Sequence, residues 1–183
     1  MHLLTINVLL LLLSVAAWQD FRSYRISNTL VFSGALLGVL LNTFLPVGIG
    51  FTESLMGWGI GLLLLLPLYL LRMMGAGDVK LMAMVGAFVG TNDIISVFLY
   101  TLIAGGIIAL VVALQRGVLR RLMDNFIFMF LSVLSVNKSK PSKDNLSVLE
   151  EAPDSVGKLP YGIAIAVGTI TSLAINHSTL MID

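Results

Sequence analysis

Long apolar stretches separated by short polar segments dominate the chain. A helix needs about 20 apolar residues, with a range of roughly 17–25, to cross a bilayer core of ~30 Å. Five stretches come close to this length: residues 3–18, 29–47, 54–71, 94–114 and 160–175. The pattern predicts a membrane-spanning helix at each, with Ser27 or Asn28 capping the second and Pro160 in the first turn of the last.

A sixth stretch, residues 81–90, is too short to cross at ~1.5 Å per residue. It crosses only if its helix also takes in Gly77, Asp78 and Lys80, which places Asp78 at the membrane edge. The alternative is a re-entrant segment that returns to the side where it started.

The basic residues decide between these two topologies. In the six-span arrangement all eleven Lys and Arg fall on connections of one side: Arg22, Arg25, Arg72, Lys80, Arg116, Arg120, Arg121, Lys138, Lys140, Lys143 and Lys158. The positive-inside rule makes that side cytoplasmic. A re-entrant segment would instead put the richest basic connection outside. We therefore expect six spans with both termini outside, in the periplasm.

The first apolar stretch and residues 116–158 differ from an ordinary span or connection. The first stretch could be a signal peptide, but no basic residue precedes its apolar run, so an uncleaved span is the better interpretation. Residues 116–158 combine basic residues, the short apolar run 126–134 and a polar tail. This pattern predicts an amphipathic helix on the cytoplasmic surface, followed by a mobile loop, within a single domain of residues 1–183.

Composition agrees with a membrane setting and excludes several kinds of function. Apolar residues make up 57% of the chain and charged residues 11%, against about a quarter in soluble domains. The chain is therefore expected to be an all-α polytopic membrane protein with the lipid bilayer as its solvent. A net charge of +1 gives no basic footprint for nucleic acid. With no cysteine, and with His2 and His177 near opposite chain ends, we expect no metal and no cofactor.

Two carboxylates remain as candidates for chemistry. Asp20 ends the first span and Asp78 begins the fourth, so both lie at the cytoplasmic edge, 58 residues apart in sequence. Two close carboxylates cannot both ionise readily, so the pair holds one proton between its two members. Such a pair suits metal-free peptide hydrolysis. A helix dipole at Asp78 would favour it as base and Asp20 as acid, although a coupled pair leaves that assignment open. The simpler interpretation of each is a helix cap or an interfacial residue.

Three segments carry a resemblance to a known family. Residues 75–81, Gly-Ala-Gly-Asp-Val-Lys-Leu, resemble the signature of the GxGD aspartyl peptidases, in particular the type IV prepilin leader peptidases. Residues 20–28 resemble that family's other aspartate segment, with Ser27 where the family usually has Pro. Residues 159–166, Leu-Pro-Tyr-Gly-Ile-Ala-Ile-Ala, are similar to its last-helix segment.

The resemblance implies an activity and a substrate. Asp20 and Asp78 would be the catalytic pair of an endopeptidase in the bacterial inner membrane. It would remove the short basic leader of prepilin or pseudopilin precursors on the cytoplasmic side, beside the substrate's hydrophobic helix. The cysteine-bearing domain of the larger members has no counterpart here, so the chain resembles the short Tad/Flp-pilus type and N-methyltransferase activity is not expected.

The same resemblance suggests supporting residues, each with a simpler alternative. The motif positions are Gly75, Gly77, Lys80, Pro160, Tyr161 and Gly162. Arg22, Arg25 and Lys80 are candidates for contact with substrate or for tuning the aspartates, although positive-inside placement explains all three. The four methionines that flank the motif, Met73, Met74, Met82 and Met84, suit either a substrate groove or ordinary packing.

Two other functions compete with proteolysis. An ion- or proton-coupled transporter would also use intramembrane acids, but it predicts them deep within several spans. A non-catalytic subunit of a secretion assembly predicts that neither aspartate is essential.

Overall fold

The computed structural model describes residues 3–46, 48–71, 73–115 and 161–179. These residues form five helices and no strand, which confirms the all-α prediction: α1 (Leu3–Ser23), α2 (Asn28–Phe44), α3 (Phe51–Leu70), α4 (Ala76–Gln115) and α5 (Tyr161–Thr179). Pro160 and the amphipathic helix and loop predicted for residues 116–158 lie outside the described residues.

The described helices have the apolar surface of a membrane protein. By length and composition, α1, α3 and the Ala76–Val112 part of α4 can each cross a bilayer, while α2 and Tyr161–Ile175 are apolar but shorter. Large apolar side chains are exposed along them, among them Leu11, Leu36, Leu63, Leu99 and Ile170. A water-soluble surface rarely carries so much exposed apolar area, and lipid is the solvent that matches it. The number of crossings and the side of each terminus stay predictions.

Helix α4 is interrupted at Gly90. The backbone there has φ 81° and ψ −173°, a conformation that glycine adopts far more readily than other residues. Gly90 lies beside Ile49, just before α3, whereas Gly105 packs against Tyr161 at the start of α5. Because α5 begins next to the Asp20 end of α1, α4 leaves the end that carries Asp78, turns at Gly90 and returns.

Polar side chains from α2 and α3 satisfy the backbone at this break. Asn42 Nδ2 donates to the carbonyl oxygens of Ala87 and Phe88, at 2.9 Å each, and Ser54 Oγ donates to Ala87 O at 2.5 Å. In an uninterrupted helix these carbonyls would accept from backbone N–H groups one turn later. A buried carbonyl oxygen without a donor costs free energy comparable to a lost hydrogen bond, so these two side chains stabilise the break.

Residues 76–89 form the central helix of the bundle. Every residue from 81 to 90 is buried, as expected for a segment that is apolar all round. Glycines let the neighbouring helices approach closely: Gly34 and Gly38 of α2 face Met84 and Phe88, and Gly57 of α3 meets Gly86 backbone to backbone.

This packing also bears on whether the methionines beside the motif form a substrate groove or pack in the core. Met82 and Met84 are 0% exposed and belong to the core, so they form no open groove. Met74 is partly buried against the same core.

The helix that contains Asp78 begins where the sequence predicted the fourth helix to begin. It starts at Ala76 and takes in Gly77, Asp78 and Lys80. Residues 76–89 amount to about 21 Å of helix at ~1.5 Å per residue, which is short of the ~30 Å core.

The chain divides into two compact units. Met1–Gly106 and Pro160–Asp183 form the first unit, which contains the helix bundle and both aspartates. Ile107–Leu159 form the second, of which the described part, residues 107–115, is the C-terminal end of α4.

Candidate active site

Asp20 lies near the C-terminal end of α1 and is 4% exposed. Its Oδ2 accepts a hydrogen bond of 2.6 Å from the N–H of Gly162, 142 residues away, and the carboxylate also interacts with the N–H of Ile163. Both donors belong to the first turn of α5, where N–H groups lack acceptors within their own helix. The burial of Asp20 is therefore compensated by the N-terminus of another helix.

Asp78 is the third residue of α4 and is 8% exposed. Its Oδ2 accepts a hydrogen bond of 3.1 Å from the N–H of Gly75, and its own N–H donates to Gly75 O at 3.1 Å. A side chain at the third helical position that reaches back to the N-cap backbone is one half of a capping box. Asp78 thus does cap its helix, as the simpler interpretation held, but it does so while buried.

The two aspartates belong to one cluster. The charge of Asp20 acts electrostatically on Asp78, and the charge of Asp78 acts on the half-buried Tyr161. The turn after α1 lies against the glycine motif, since a Cβ placed on Gly77 would be 3.3 Å from Ile26 Cβ. The fold therefore brings together most of the residues predicted from the motifs: Asp20, Gly75, Gly77, Asp78, Tyr161 and Gly162.

The three basic candidates are placed differently. Lys80 Nζ donates to Asn28 Oδ1 at 2.9 Å and lies 5.5 Å from the centre of the Phe32 ring, so it binds α2. Arg22 and Arg25 are exposed, in the last turn of α1 and in the turn that follows. The hydrogen bonds that hold the aspartates come from backbone amides.

The turn between α1 and α2 contains contacts that sequence reasoning missed. Gln19 Oε1 accepts the N–H of Ser27 at 3.0 Å, and Tyr24 adopts a positive φ of 51°. Ser27 occupies the N-cap position of α2 but makes no side-chain capping bond. These contacts place Ile26 against Gly77. The signal that would have found them is a glutamine directly before Asp20 at the end of an apolar run.

The structure corrects one step in the argument about acid and base. The helix dipole was expected to single out Asp78 as the anion. However, Asp20 faces the N-terminus of α5 while Asp78 lies in the first turn of α4. Since both carboxylates lie at positive helix ends, the dipole does not distinguish them.

Long apolar helices are typical of a membrane protein, and the two buried carboxylates at one end of the bundle form a candidate acid–base site. The model of the type IV leader peptidase family matches residues 7–110, more than half of the chain, and the chain belongs to that family. Membership implies a protease. The matched residues include Asp20 and Asp78, while α5 lies outside them. Neither a curated protein nor a solved structure matches the chain.

Proposed function

We propose that this protein is a membrane-embedded aspartyl endopeptidase that removes the short basic leader from type IV prepilin-like precursors. The observation that carries the proposal is the convergence of Asp20 and Asp78, 4% and 8% exposed, in one electrostatically coupled cluster. Buried carboxylates that interact are unusual outside functional sites, and the family is one of leader peptidases.

The chemistry needs only these two groups and a water molecule. One carboxylate, ionised, takes a proton from water as the water oxygen bonds to the scissile carbonyl carbon. The other, protonated, donates a hydrogen bond to the carbonyl oxygen. The tetrahedral intermediate then collapses as the C–N bond breaks and the amine leaves with a proton from the pair. No cofactor is required.

The charge pattern supports the location of the cut. The Asp20 and Asp78 end of the bundle also carries Arg22, Arg25 and Lys80, and basic residues concentrate on the cytoplasmic side. The substrate's hydrophobic helix would lie in the bilayer, with its leader at the cytoplasmic face of the bacterial inner membrane. The resemblance to the short Tad/Flp type makes a Flp-like prepilin or pseudopilin the expected partner.

The test is to co-express the protein with a candidate prepilin and to follow loss of the leader by mass spectrometry. Asp20→Asn and Asp78→Asn should each leave the precursor uncut while accumulating in the membrane. Glu53→Gln is the matched control, because Glu53 accepts a hydrogen bond from Thr91 Oγ1 at 2.5 Å near the Gly90 break, and an amide oxygen can accept the same bond. Normal processing by either Asn variant would reject the proposal.

The same experiment separates the competing functions. A non-catalytic secretion subunit would leave the precursor uncut even as the wild-type protein, and neither Asn substitution would affect its function. A transporter would use carboxylates along its helices, yet the acids of the described helices lie near the ends of the bundle: Asp20 and Asp78 at one end, Glu53 and Asp93 around the Gly90 break. Proteolysis is therefore the function that the site supports best.

A further inference from the structure

We propose that Gly162 is the positioning residue for Asp20: the first turn of α5 holds the Asp20 carboxylate, and only a residue without a side chain permits the approach. This inference rests on the proposed function, in which Asp20 is catalytic. It adds a role for a residue outside the part of the chain that the family match covers.

The distances leave no room for a side chain at position 162. A Cβ placed on Gly162 would be 2.8 Å from Asp20 Oδ2, 3.0 Å from Asp20 Cβ and 3.1 Å from Asp20 Cγ. Contacts shorter than 3.4 Å are crowded for carbon, and a Cβ moves only with its backbone. Of these three atoms, Asp20 Cβ cannot move away from Gly162 unless the backbone of α1 moves as well.

Nor can α5 easily retreat to make space. At Gly168, farther along the helix, an added Cβ would be 2.5 Å from Thr101 N. The Tyr161 ring also packs on Gly105 of α4 at ordinary van der Waals distance, since a Cβ there would be 3.4 Å from Tyr161 Cε1. Because α5 packs against α4 as well as against α1, a shift of α5 away from Asp20 would disturb these contacts with α4.

The hydrogen bond has a chemical consequence. A donor at 2.6 Å fixes the orientation of the Asp20 carboxylate and stabilises its charged form. A displaced donor would leave the carboxylate in other rotamers for part of the time, and misplacement of a reacting group lowers the rate of the chemical step. Since Gly162 acts through Asp20, its replacement should change kcat more than KM.

The first experiment compares Gly162→Ala with Gly38→Ala in purified, detergent-solubilised enzyme acting on a prepilin. Gly162→Ala should lower kcat at least about tenfold with KM within about threefold, and its pH–activity profile should shift relative to wild type. Gly38→Ala is a crowding control on α2, where the added Cβ would be 2.8 Å from Phe88 Cδ2 and would touch neither α5 nor Asp20. It should lower thermal stability and keep the wild-type pH profile. An unchanged kcat and pH profile for Gly162→Ala would overturn the inference.

The second experiment does not depend on activity. Asp20→Ala removes Cγ and Oδ2, two of the three crowded atoms, so alanine at 162 should cost less stability in that background than in wild type. Such non-additivity is what a double-mutant cycle measures. If Gly162→Ala does not accumulate in the membrane, adding Asp20→Ala should restore its level. Additive losses, or no restoration, would overturn the inference.

The outcomes separate this inference from the proposed function. Loss of processing in Asp20→Asn together with an unaffected Gly162→Ala enzyme would reject the positioning role alone. Normal processing by Asp20→Asn would reject the function, and the stability cycle would still report whether Gly162 and Asp20 interact.

Discussion

The two aspartates are buried to a similar degree, but they are held in different ways. Asp78 is bound by Gly75, three residues earlier, within the turn that begins its own helix. Asp20 is bound by Gly162, 142 residues later, on a helix that must first pack against α1. One carboxylate is thus positioned by local structure and the other by tertiary structure.

This difference predicts different sensitivities. A change that moves residues 76–89 carries Asp78 and its hydrogen bond along together, because donor and acceptor share one turn. A change that moves α5 separates Asp20 from its donor. Variants that displace one helix at a time should therefore affect the two aspartates unequally.

The largest effect is expected from Gly57→Ala, which pushes α3 away from the helix that carries Asp78. The added Cβ would meet the Gly86 carbonyl oxygen and lie 2.8 Å from Gly90 Cα, both backbone atoms. We expect a loss of about 3 kcal/mol in the free energy of unfolding, the upper end for overpacking. Reversible unfolding in mixed detergent micelles measures it.

Gly59→Ala is the matched control on the same helix, since a Cβ there has no neighbour within 4 Å. It should leave stability unchanged or raise it by up to ~1 kcal/mol, because alanine favours helix over glycine. Equal losses in both variants would show that the close approach of α3 does not stabilise the bundle.

A smaller effect is expected from Gly75→Ala, the counterpart of Gly162→Ala beside the other aspartate. An added Cβ would be 3.3 Å from Asp78 Oδ2, a side-chain atom that can move by a few tenths of an ångström. Alanine is a poorer N-cap than glycine, so we expect a stability loss of about 1 kcal/mol or less.

The rate of prepilin processing also tests the difference between the local positioning of Asp78 and the tertiary positioning of Asp20. Gly75→Ala should keep at least about a third of the wild-type rate, a difference below ~1 kcal/mol in activation free energy. If it instead lost as much activity as Gly162→Ala, local and tertiary positioning would be equally restrictive and the contrast would fail.

The smallest effect is expected from Lys80→Met, although Lys80 is only two residues from Asp78. Its ammonium group binds Asn28 and lies near Phe32 on α2. Interactions of this kind contribute about 1 kcal/mol or less, and methionine keeps the apolar part of the side chain. Processing within about threefold of wild type is expected, and complete loss would assign Lys80 to the site after all.

The features that could be predicted from the sequence are those that local structure determines, and the features that tertiary packing determines could not be predicted. The start of α4 and the candidate role of Asp78 were predictable because the glycine motif acts within one turn. The all-α architecture followed from apolar stretches of span length. The donor to Asp20 was not predictable, because no local pattern shows which N–H group a buried carboxylate meets across the bundle.

The helix break shows the same limit. Residues 81–90 were recognised as too short to cross, but nothing local to Gly90 indicated that its carbonyls are satisfied from α2 and α3. An asparagine within an apolar stretch, Asn42, was the available signal, since amides are rare and usually bonded in such segments.

The break at Gly90 also bears on the order of biosynthesis. Residues 76–89 are short, begin with Asp78 and Lys80, and end in two carbonyls that need Asn42 and Ser54 as donors. Alone, such a segment would partition poorly into lipid. Both donors belong to helices that leave the ribosome earlier, so the surfaces that receive this segment exist before it emerges. During translation, the order of the helices along the chain is also an order in which each can be accommodated.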